Sequence, residues 1–235
     1  MVRAVLFDLD DTLFDHQQCS RTALTGVRGL HACFASVDPE ALEREHAGIL
    51  ERLHLDVIGG RLPLEAARVE RFRQLYRAAG IEADDHLARQ AAAAYRDEYV
   101  AARVEVEGAS ALLAAVRAHA RVVVVSNNLL EEQRAKMRSC GLDRHVDLLV
   151  VSEEAGVSKP ARGIFDLALA RAGVDAGDAV MLGDSWINDV EGARAAGIRA
   201  IWFNRTGEPP PDPDVPVLDR LHPLDAVLPV LLGVR

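Results

Sequence analysis

The chain has 235 residues, of which 49% are hydrophobic and 27% are charged, as in an ordinary globular protein. Its net charge of -9 argues against a general nucleic-acid or membrane-surface binder, because such proteins usually carry a basic patch. No apolar segment reaches the length of a membrane span. Asp8 and Asp10 interrupt the first apolar run, so no signal peptide is predicted.

The cysteines indicate the redox environment. Cys19, Cys33 and Cys140 have no metal-type spacing, and three cysteines cannot all pair with one another. This set is typical of buried or partly buried thiols in a reducing compartment. We therefore expect a cytoplasmic protein.

Short apolar runs bounded by polar residues predict five strands. In chain order they are Val2–Phe7, Arg121–Val125, Val146–Val151, Ala179–Leu182 and Arg199–Phe203. Helical patterns of one to two dozen residues lie between most of these runs. This alternation predicts βαβ units around a parallel sheet, and so an α/β fold.

The exception is the segment from about His16 to Arg103, which has several helical patterns and no convincing strand. Asp38 and Pro39 suit a helix start, as the cap and the first helical residue. The predicted helices run from Asp38 to Gly59-Gly60, from Leu64 to Ala79 and from Asp84 to Ala101.

An all-helical block between the first two strands of a parallel sheet indicates an inserted domain. We expect this inserted domain over residues 16–103 and a core over residues 1–15 and 104–235. The proline-rich stretch 208–216 predicts a rigid surface loop. The apolar tail from Leu224 to Val234 is short and contains Pro229, which favours a packed C-terminal helix or turn.

Acidic residues follow two of the predicted strands. Asp8-Leu9-Asp10-Asp11-Thr12 follows the first, and Gly183-Asp184-Ser185 through Asp189 follows the fourth. Ligand sites in open α/β sheets lie beyond the carboxyl ends of the strands. If the two strands are close, their carboxylates repel one another unless a divalent cation or a fixed positive charge neutralises them. The two segments point to a metal-dependent active site, although the first alone also fits a structural turn.

Two further polar elements follow the other strands. Ser126-Asn127-Asn128 can bind an anion through the hydroxyl and backbone N–H groups, or can cap a helix over 129–138. Lys159 precedes Pro160, which is expected to open the next helix. This lysine would lie near the carboxylates at the top of the sheet; the alternative is a solvated lysine.

These four elements, in this order, resemble the four motifs of the haloacid dehalogenase superfamily. Asp8 through Thr12 is similar to the first motif, Ser126 to the second, Lys159 to the third and 183–189 to the fourth. The resemblance covers most of the chain and includes a helical cap inserted after the first strand. It implies a Rossmann-like parallel sheet with helices on both faces, plus that all-helical cap domain.

The resemblance implies phosphoryl-transfer chemistry. Asp8 would attack phosphorus and form an aspartyl-phosphate, while Asp10 would protonate the leaving oxygen and later help water cleave the intermediate. Mg²⁺ would be held by Asp8, Asp184 and the backbone carbonyl of Asp10, since Mg²⁺ prefers oxygen ligands. Dehalogenases of the family generally lack the second aspartate and need no metal, so Asp10 favours phosphoryl transfer.

The remaining motif residues would support this reaction. The resemblance implies that Ser126 and Asn127 bind the phosphoryl oxygens and that Lys159 neutralises the nucleophile and the transferring group. Thr12 would order the first loop. Asp189 would support the metal through water or orient Lys159.

The sequence thus predicts a cytoplasmic, Mg²⁺-dependent phosphatase that hydrolyses a small phosphorylated metabolite and binds neither nucleic acid nor membrane. Asp11 stands where the family most often has glycine; Asp and Asn tolerate a left-handed backbone, and the nucleotidase and sugar-phosphate phosphatase branches often carry them there. This favours a nucleotide or sugar phosphate. Two alternatives stay open: a phosphomutase, and a non-catalytic binding protein on the same fold.

Substrate choice in this family comes largely from the cap, where four residues are candidates: Arg61, Arg68, Arg71 and Phe72. The alternative is that the arginines are solvated beside a core phenylalanine. His16 and Trp186 are expected either to touch the substrate or to pack. The physiological substrate and the oligomeric state do not follow from the sequence.

Overall fold

The computed structural model describes residues 1–233, apart from the side chains of Leu30 and Ala32. The predicted tail residue Val234 lies outside this range. The chain divides into two compact units, here called the core unit (Met1–Asp15 and Val104–Arg235) and the helical unit (His16–Arg103). Within residues 1–233, every helix is too short or too polar to cross a membrane.

The core unit contains one sheet of six parallel strands. The strands are β1 (Ala4–Phe7), β2 (Arg121–Ser126), β3 (Leu148–Val151), β4 (Ala179–Gly183), β5 (Arg199–Phe203) and β6 (Val217–Leu218). Their order across the sheet is β3-β2-β1-β4-β5-β6. The predicted parallel α/β fold is confirmed, with β1 between the strands that carry the second and fourth polar segments.

The helical unit contains only helices among its described elements. These are α1 (His16–Leu30), α2 (Ala32–Ala35), α3 (Pro39–Ile58), α4 (Leu64–Ala78) and α5 (Asp85–Ala101). As predicted, the Asp38 carboxylate caps α3 by accepting a hydrogen bond from Ala41 N–H at 2.9 Å. Asp84 caps α5 in the same way through Leu87 N–H at 2.8 Å.

Helices cover both faces of the sheet. They are α6 (Ala109–Arg117), α7 (Leu130–Cys140), α8 (Ser152–Ala155), α9 (Arg162–Ala172), α10 (Gly192–Ala195) and α11 (Leu224–Leu232). Alternate strand residues such as Leu6 and Val123 pack with Ile164 of α9 in one buried cluster. The residues between them, such as Val5 and Val122, are fully buried as well. Burial on both faces explains why the strands are continuously apolar.

The parallel register brings the polar segments to one edge of the sheet. Phe7, the last residue of β1, pairs with Val124 of β2 and with Leu182 of β4. The chain therefore leaves these three strands at nearly the same level. Asp8 continues the ladder by one step, since its N–H donates to the Leu182 carbonyl at 3.0 Å.

Element bounds differ from the predictions where local turns intervene. β3 begins at Leu148 rather than Val146, because a 3₁₀ turn over Leu142–His145 precedes it. α9 begins at Arg162 rather than Pro160, which lies in the turn before the helix. β6 was not predicted: its two residues extend the sheet after the predicted proline-rich loop.

Candidate active site

Lys159 lies between two carboxylates beyond the strand ends. Its Nζ donates to Asp8 Oδ1 at 2.5 Å and to Asp189 Oδ1 at 2.6 Å. All three side chains are buried. Burial alone would lower the pKa of Lys159, but the charges of Asp189 and Asp8 outweigh it and raise that pKa. The group is therefore held as an ammonium, and it is not the solvated lysine of the alternative interpretation.

Asp8, Asp184 and Asp189 form an acidic cluster, in which each residue can offer an oxygen within 4.8 Å of the others. Burial raises the pKa of Asp8 to about 7, with Lys159 opposing and Asp189 adding to the shift. Burial likewise raises the pKa of Asp184 to about 8, and Asp8 and Asp189 raise it further. One lysine does not balance three acids. Asp8 and Asp189 are buried and Asp184 is partly buried, and three such carboxylates, when ionised, fit a hard divalent cation such as Mg²⁺.

The loop after β4 is fixed to the loop after β1. Thr12 Oγ1 donates to Asp184 Oδ1 at 3.3 Å and accepts from Asp184 N–H at 3.1 Å. Trp202 Nε1 of β5 donates to the Asp184 carbonyl at 2.8 Å. Thr12 was predicted to order the first loop, and its contacts in the structure join the two loops directly.

Asp189 is packed against the end of β4. Its Oδ2 accepts from Ser185 N–H at 3.0 Å, at the start of a π-helical turn over Trp186–Glu191. A Cβ added at Gly183 would lie 2.4 Å from the Asp189 carboxyl carbon, so only glycine leaves room for this carboxylate. Asp189 Oδ1 accepts from Lys159 Nζ, which is the contact that the predicted orienting role would need.

Asp10 points to α7 rather than to the acidic cluster. Its Oδ1 accepts from Lys136 Nζ at 2.5 Å, and its Oδ2 accepts from Gln133 Nε2 at 2.8 Å. The Gln133 amide also donates to Ser126 Oγ at 2.6 Å. Lys136 and Gln133 are both buried. α7 thus links the second aspartate of the first motif to the serine of the second.

Sequence reasoning missed Gln133 and Lys136. They lie three residues apart on α7, so they share one face of the helix. No local signal marked them, because a polar residue on a helix normally faces solvent and their partner Asp10 is distant in sequence, 123 residues before Gln133.

The Asn127 side chain binds the backbone of Lys159. Its Nδ2 donates to the Lys159 carbonyl at 2.8 Å, and its Oδ1 accepts from Lys159 N–H at 2.7 Å. The side-chain amide therefore fixes the backbone of the lysine, and a phosphate contact would need another atom of Asn127. Neither Ser126 nor Asn127 caps α7, because Leu129 precedes that helix and makes no side-chain cap.

The structure also shows the local geometry of three other positions named in the sequence analysis. Asp11 has φ of +63°, the left-handed backbone that was expected to be tolerated there. The Trp186 ring packs edge-to-face on Trp202, with ring centroids 5.3 Å apart. His16 Nδ1 lies 2.7 Å from the Tyr99 hydroxyl within the helical unit.

Of the four candidate residues in the cap, two form ion pairs and two are buried. Arg61 and Arg68 form ion pairs with nearby acids of the helical unit. Arg71 and Phe72 are buried on α4, and the guanidinium carbon of Arg71 lies 5.6 Å from the centre of the Phe72 ring. The prediction of solvated arginines beside a core phenylalanine is therefore wrong for Arg71.

Comparison with known proteins gives the family. The model of the haloacid dehalogenase-like hydrolases matches residues 2–197. The chain is 33% identical to a phosphoserine phosphatase of Thermus thermophilus, over 91% of this chain and 92% of that protein. It is 32% identical to a ribulose-1,5-bisphosphate 5-phosphatase of Halopiger xanaduensis, over 88% and 87%.

A solved structure of a HAD hydrolase from Bacillus subtilis has the same fold, with a TM-score of 0.75 at 23% identity and coverage of 99% of both chains. The family match spans both the motif loops and the helical segment between them. The predicted resemblance is confirmed: this chain belongs to the haloacid dehalogenase-like hydrolases, and it is an enzyme of the phosphatase type.

Proposed function

We propose that the protein is a Mg²⁺-dependent hydrolase of a small phosphate monoester, which acts through an aspartyl-phosphate on Asp8. The observation that carries this proposal is the buried Asp8 carboxylate at the end of β1, with the Lys159 ammonium 2.5 Å away. A carboxylate attacks a phosphate anion only if positive charge offsets their repulsion. Phosphoryl transfer depends chiefly on such positioning and charge neutralisation.

The reaction has two steps. An oxygen of Asp8 bonds to phosphorus as the bond to the leaving oxygen breaks, and Asp10 gives the leaving oxygen a proton. In the second step Asp10 takes a proton from water, the water oxygen bonds to phosphorus, and the bond to Asp8 breaks. Inorganic phosphate leaves and both carboxyl groups return to their starting states.

The other residues bind and orient. Ser126 Oγ accepts a hydrogen bond from Gln133, which leaves its own O–H to donate to a phosphoryl oxygen. Asp189 keeps Lys159 beside Asp8. Asp8, Asp184 and the backbone carbonyl of Asp10 would hold the Mg²⁺. When bound, the ion neutralises charge on the phosphoryl oxygens and on the acidic cluster.

The proposed substrate is a small phosphorylated metabolite of the nucleotide or sugar phosphate class, hydrolysed in the cytoplasm. Two relatives support a small phosphate monoester: one is named for phosphoserine and the other for ribulose bisphosphate. The three cysteines are thiols, which suits a reducing compartment.

The test is release of inorganic phosphate from an aryl phosphate and a panel of sugar phosphates, nucleotides and phosphoserine, with Mg²⁺ and with chelator. We expect metal-dependent release, reduced about 10³-fold or more in Asp8→Asn. Asp178→Asn is the matched control, because Asp178 lies at the opposite end of β4 and is expected to be neutral to activity. Circular dichroism checks that both variants fold.

Three other outcomes would contradict the proposed mechanism or favour one of the two alternatives. Release that survives chelator or Asp8→Asn contradicts the mechanism. Isomerisation of a sugar phosphate without net phosphate release identifies a phosphomutase. Tight binding of a panel member without turnover identifies a binding protein on this fold.

A further inference from the structure

Arg71 is a buried cation without an acidic partner. This residue of α4 is only 8% exposed, and its Nε makes no hydrogen bond. Across residues 1–233, no carboxylate forms an ion pair with its guanidinium. A buried charge is normally paired and hydrogen-bonded, because removing it from water is otherwise costly.

Aromatic rings surround this guanidinium and offer partial compensation. Its carbon lies 4.8 Å from the centre of the Tyr95 ring on α5 and 5.6 Å from that of Phe72. Such cation–π contacts stabilise the charge through the ring faces. They supply no acceptor for the Nε–H, so the hydrogen-bonding capacity of Arg71 is not met by the rings.

A second unpartnered nitrogen lies against the same two rings. His46 of α3 is 1% exposed, and its Nε2 makes no hydrogen bond. Its ring centre is 4.9 Å from that of Tyr95 and 6.0 Å from that of Phe72. Three helices thus bring two buried nitrogens without hydrogen-bond partners, Arg71 Nε and His46 Nε2, to one aromatic cluster.

Neighbouring cations add to the cost of burying this pair. Burial lowers the pKa of Arg71; Tyr95 and Tyr99 oppose the shift, and Arg68 and Arg96 add to it. Burial lowers the pKa of His46 well below 6.5, with Arg71 adding to the shift. His46 is therefore neutral at neutral pH and can donate one N–H without adding charge.

We propose that Arg71 and His46 form a binding site in the helical unit for one anionic group of a small molecule, a carboxylate or a phosphoryl group. The planar guanidinium presents N–H groups that match the oxygens of such an anion. The anion would supply the missing charge and the acceptor for Arg71 Nε, and His46 would donate a further hydrogen bond. We infer this site without reference to the phosphatase reaction proposed above.

The test is the effect of anions on thermal unfolding of the full chain, in chelator and at constant ionic strength against chloride. Inorganic phosphate represents the phosphoryl group and malonate the carboxylate. At 100-fold excess over Kd we expect the midpoint to rise by about 5 °C or more. Arg71→Met should lose this response. Without anion it should unfold no lower than wild type, because it removes an unpaired buried charge.

Arg61→Met is the matched control, since Arg61 is an exposed arginine of the same unit paired with Asp56. Its anion response should equal that of wild type. Calorimetric titration of His46→Phe with the same anions gives a second measure, with at least about tenfold weaker binding expected from the lost hydrogen bond. An equal response in wild type and Arg71→Met, or no response to either anion in wild type, would overturn the proposal.

Discussion

At the level of single residues, the acidic cluster is expected to destabilise the folded chain unless a cation binds it. The pKa of Asp184 is raised to about 8, chiefly by burial and then by Asp8 and Asp189. Its usual value is 3.8, so the folded chain binds more protons than the unfolded chain between about pH 4 and pH 8. Stability without metal therefore falls as the pH rises through this window.

Asp184→Asn is expected to change this pH dependence in a specific way. Asparagine carries no charge, so in chelator at pH 8 the variant should be more stable than wild type. The difference should nearly vanish at about pH 3, below the usual pKa of 3.8, where Asp184 is largely protonated in both the folded and the unfolded chain. In Mg²⁺ wild type should become the more stable protein, because Mg²⁺ binding stabilises wild type and not the variant. Denaturant midpoints at the two pH values, with and without Mg²⁺, measure these differences.

The control for this experiment is Asp178→Asn. Asp178 forms a partly exposed ion pair with Arg3 and lies outside the acidic cluster. Its substitution should leave the Mg²⁺ response unchanged. An Asp184→Asn protein that Mg²⁺ still stabilises as much as wild type would contradict the proposed metal site.

Lys136 is expected to act on catalysis through Asp10, whose carboxylate it binds at 2.5 Å. Lys136→Met removes that cation and leaves Asp10 less well positioned for proton transfer. We expect kcat to fall about 10–100-fold, since general acid–base catalysis contributes about 10²–10⁴-fold, while KM changes little. Steady-state kinetics with one aryl phosphate give both constants.

Arg134→Met on the same helix is the matched control, because Arg134 is exposed and pairs with Glu131. Its kcat should match that of wild type. A Lys136→Met enzyme with unchanged kcat, or with loss confined to KM, would show that Asp10 does not need this contact.

At the level of secondary-structure elements, the last residue of β4 must be glycine, because the Asp189 side chain packs directly against it. Gly183→Ala would place a Cβ 2.4 Å from the Asp189 carboxyl carbon, and that carboxylate would have to move away from Lys159. We expect a loss of about 1–3 kcal/mol in the free energy of unfolding and about a 10²-fold loss in kcat. Urea unfolding and phosphate release measure the two effects.

Gly177→Ala separates this effect from a general effect of replacing glycine. A Cβ at Gly177 meets no atom within 4 Å, and the residue lies in the turn before β4. This variant should retain wild-type activity and stability. If Gly183→Ala behaves like Gly177→Ala, Asp189 does not need the room that glycine leaves.

The elements also show what the sequence can predict. β1 and β4 were predictable because each is an apolar run that ends at polar residues, and parallel pairing then brings Asp8 and Asp184 to one edge. Gln133 was not predictable in this way. A polar residue on a helix normally faces solvent, and this one is buried because Asp10, 123 residues earlier, lies opposite it. Such a long-range contact leaves no local pattern.

At the level of the whole molecule, the chain leaves the core unit after Asp15 and returns to it at Val104, and these two residues are neighbours. Asp15 N–H donates to the Val104 carbonyl at 3.0 Å, so the two ends of the segment 16–103 nearly touch. The acidic cluster, Lys159 and their supporting hydrogen bonds all lie in the core unit. We therefore propose that the core folds and holds its metal without the inserted segment.

The corresponding experiment replaces residues 16–103 with a short Gly-Ser linker. A short flexible linker closes this gap at little entropic cost, and no residue of the acidic cluster is removed. We expect cooperative thermal unfolding with a midpoint that rises in Mg²⁺. The rise should disappear when Asp184→Asn is added to the shortened chain, which ties it to the cluster. A shortened chain that folds cooperatively but does not respond to Mg²⁺ would show that the core alone cannot hold the metal, and a chain without a cooperative transition would show that the core depends on the helical unit to fold.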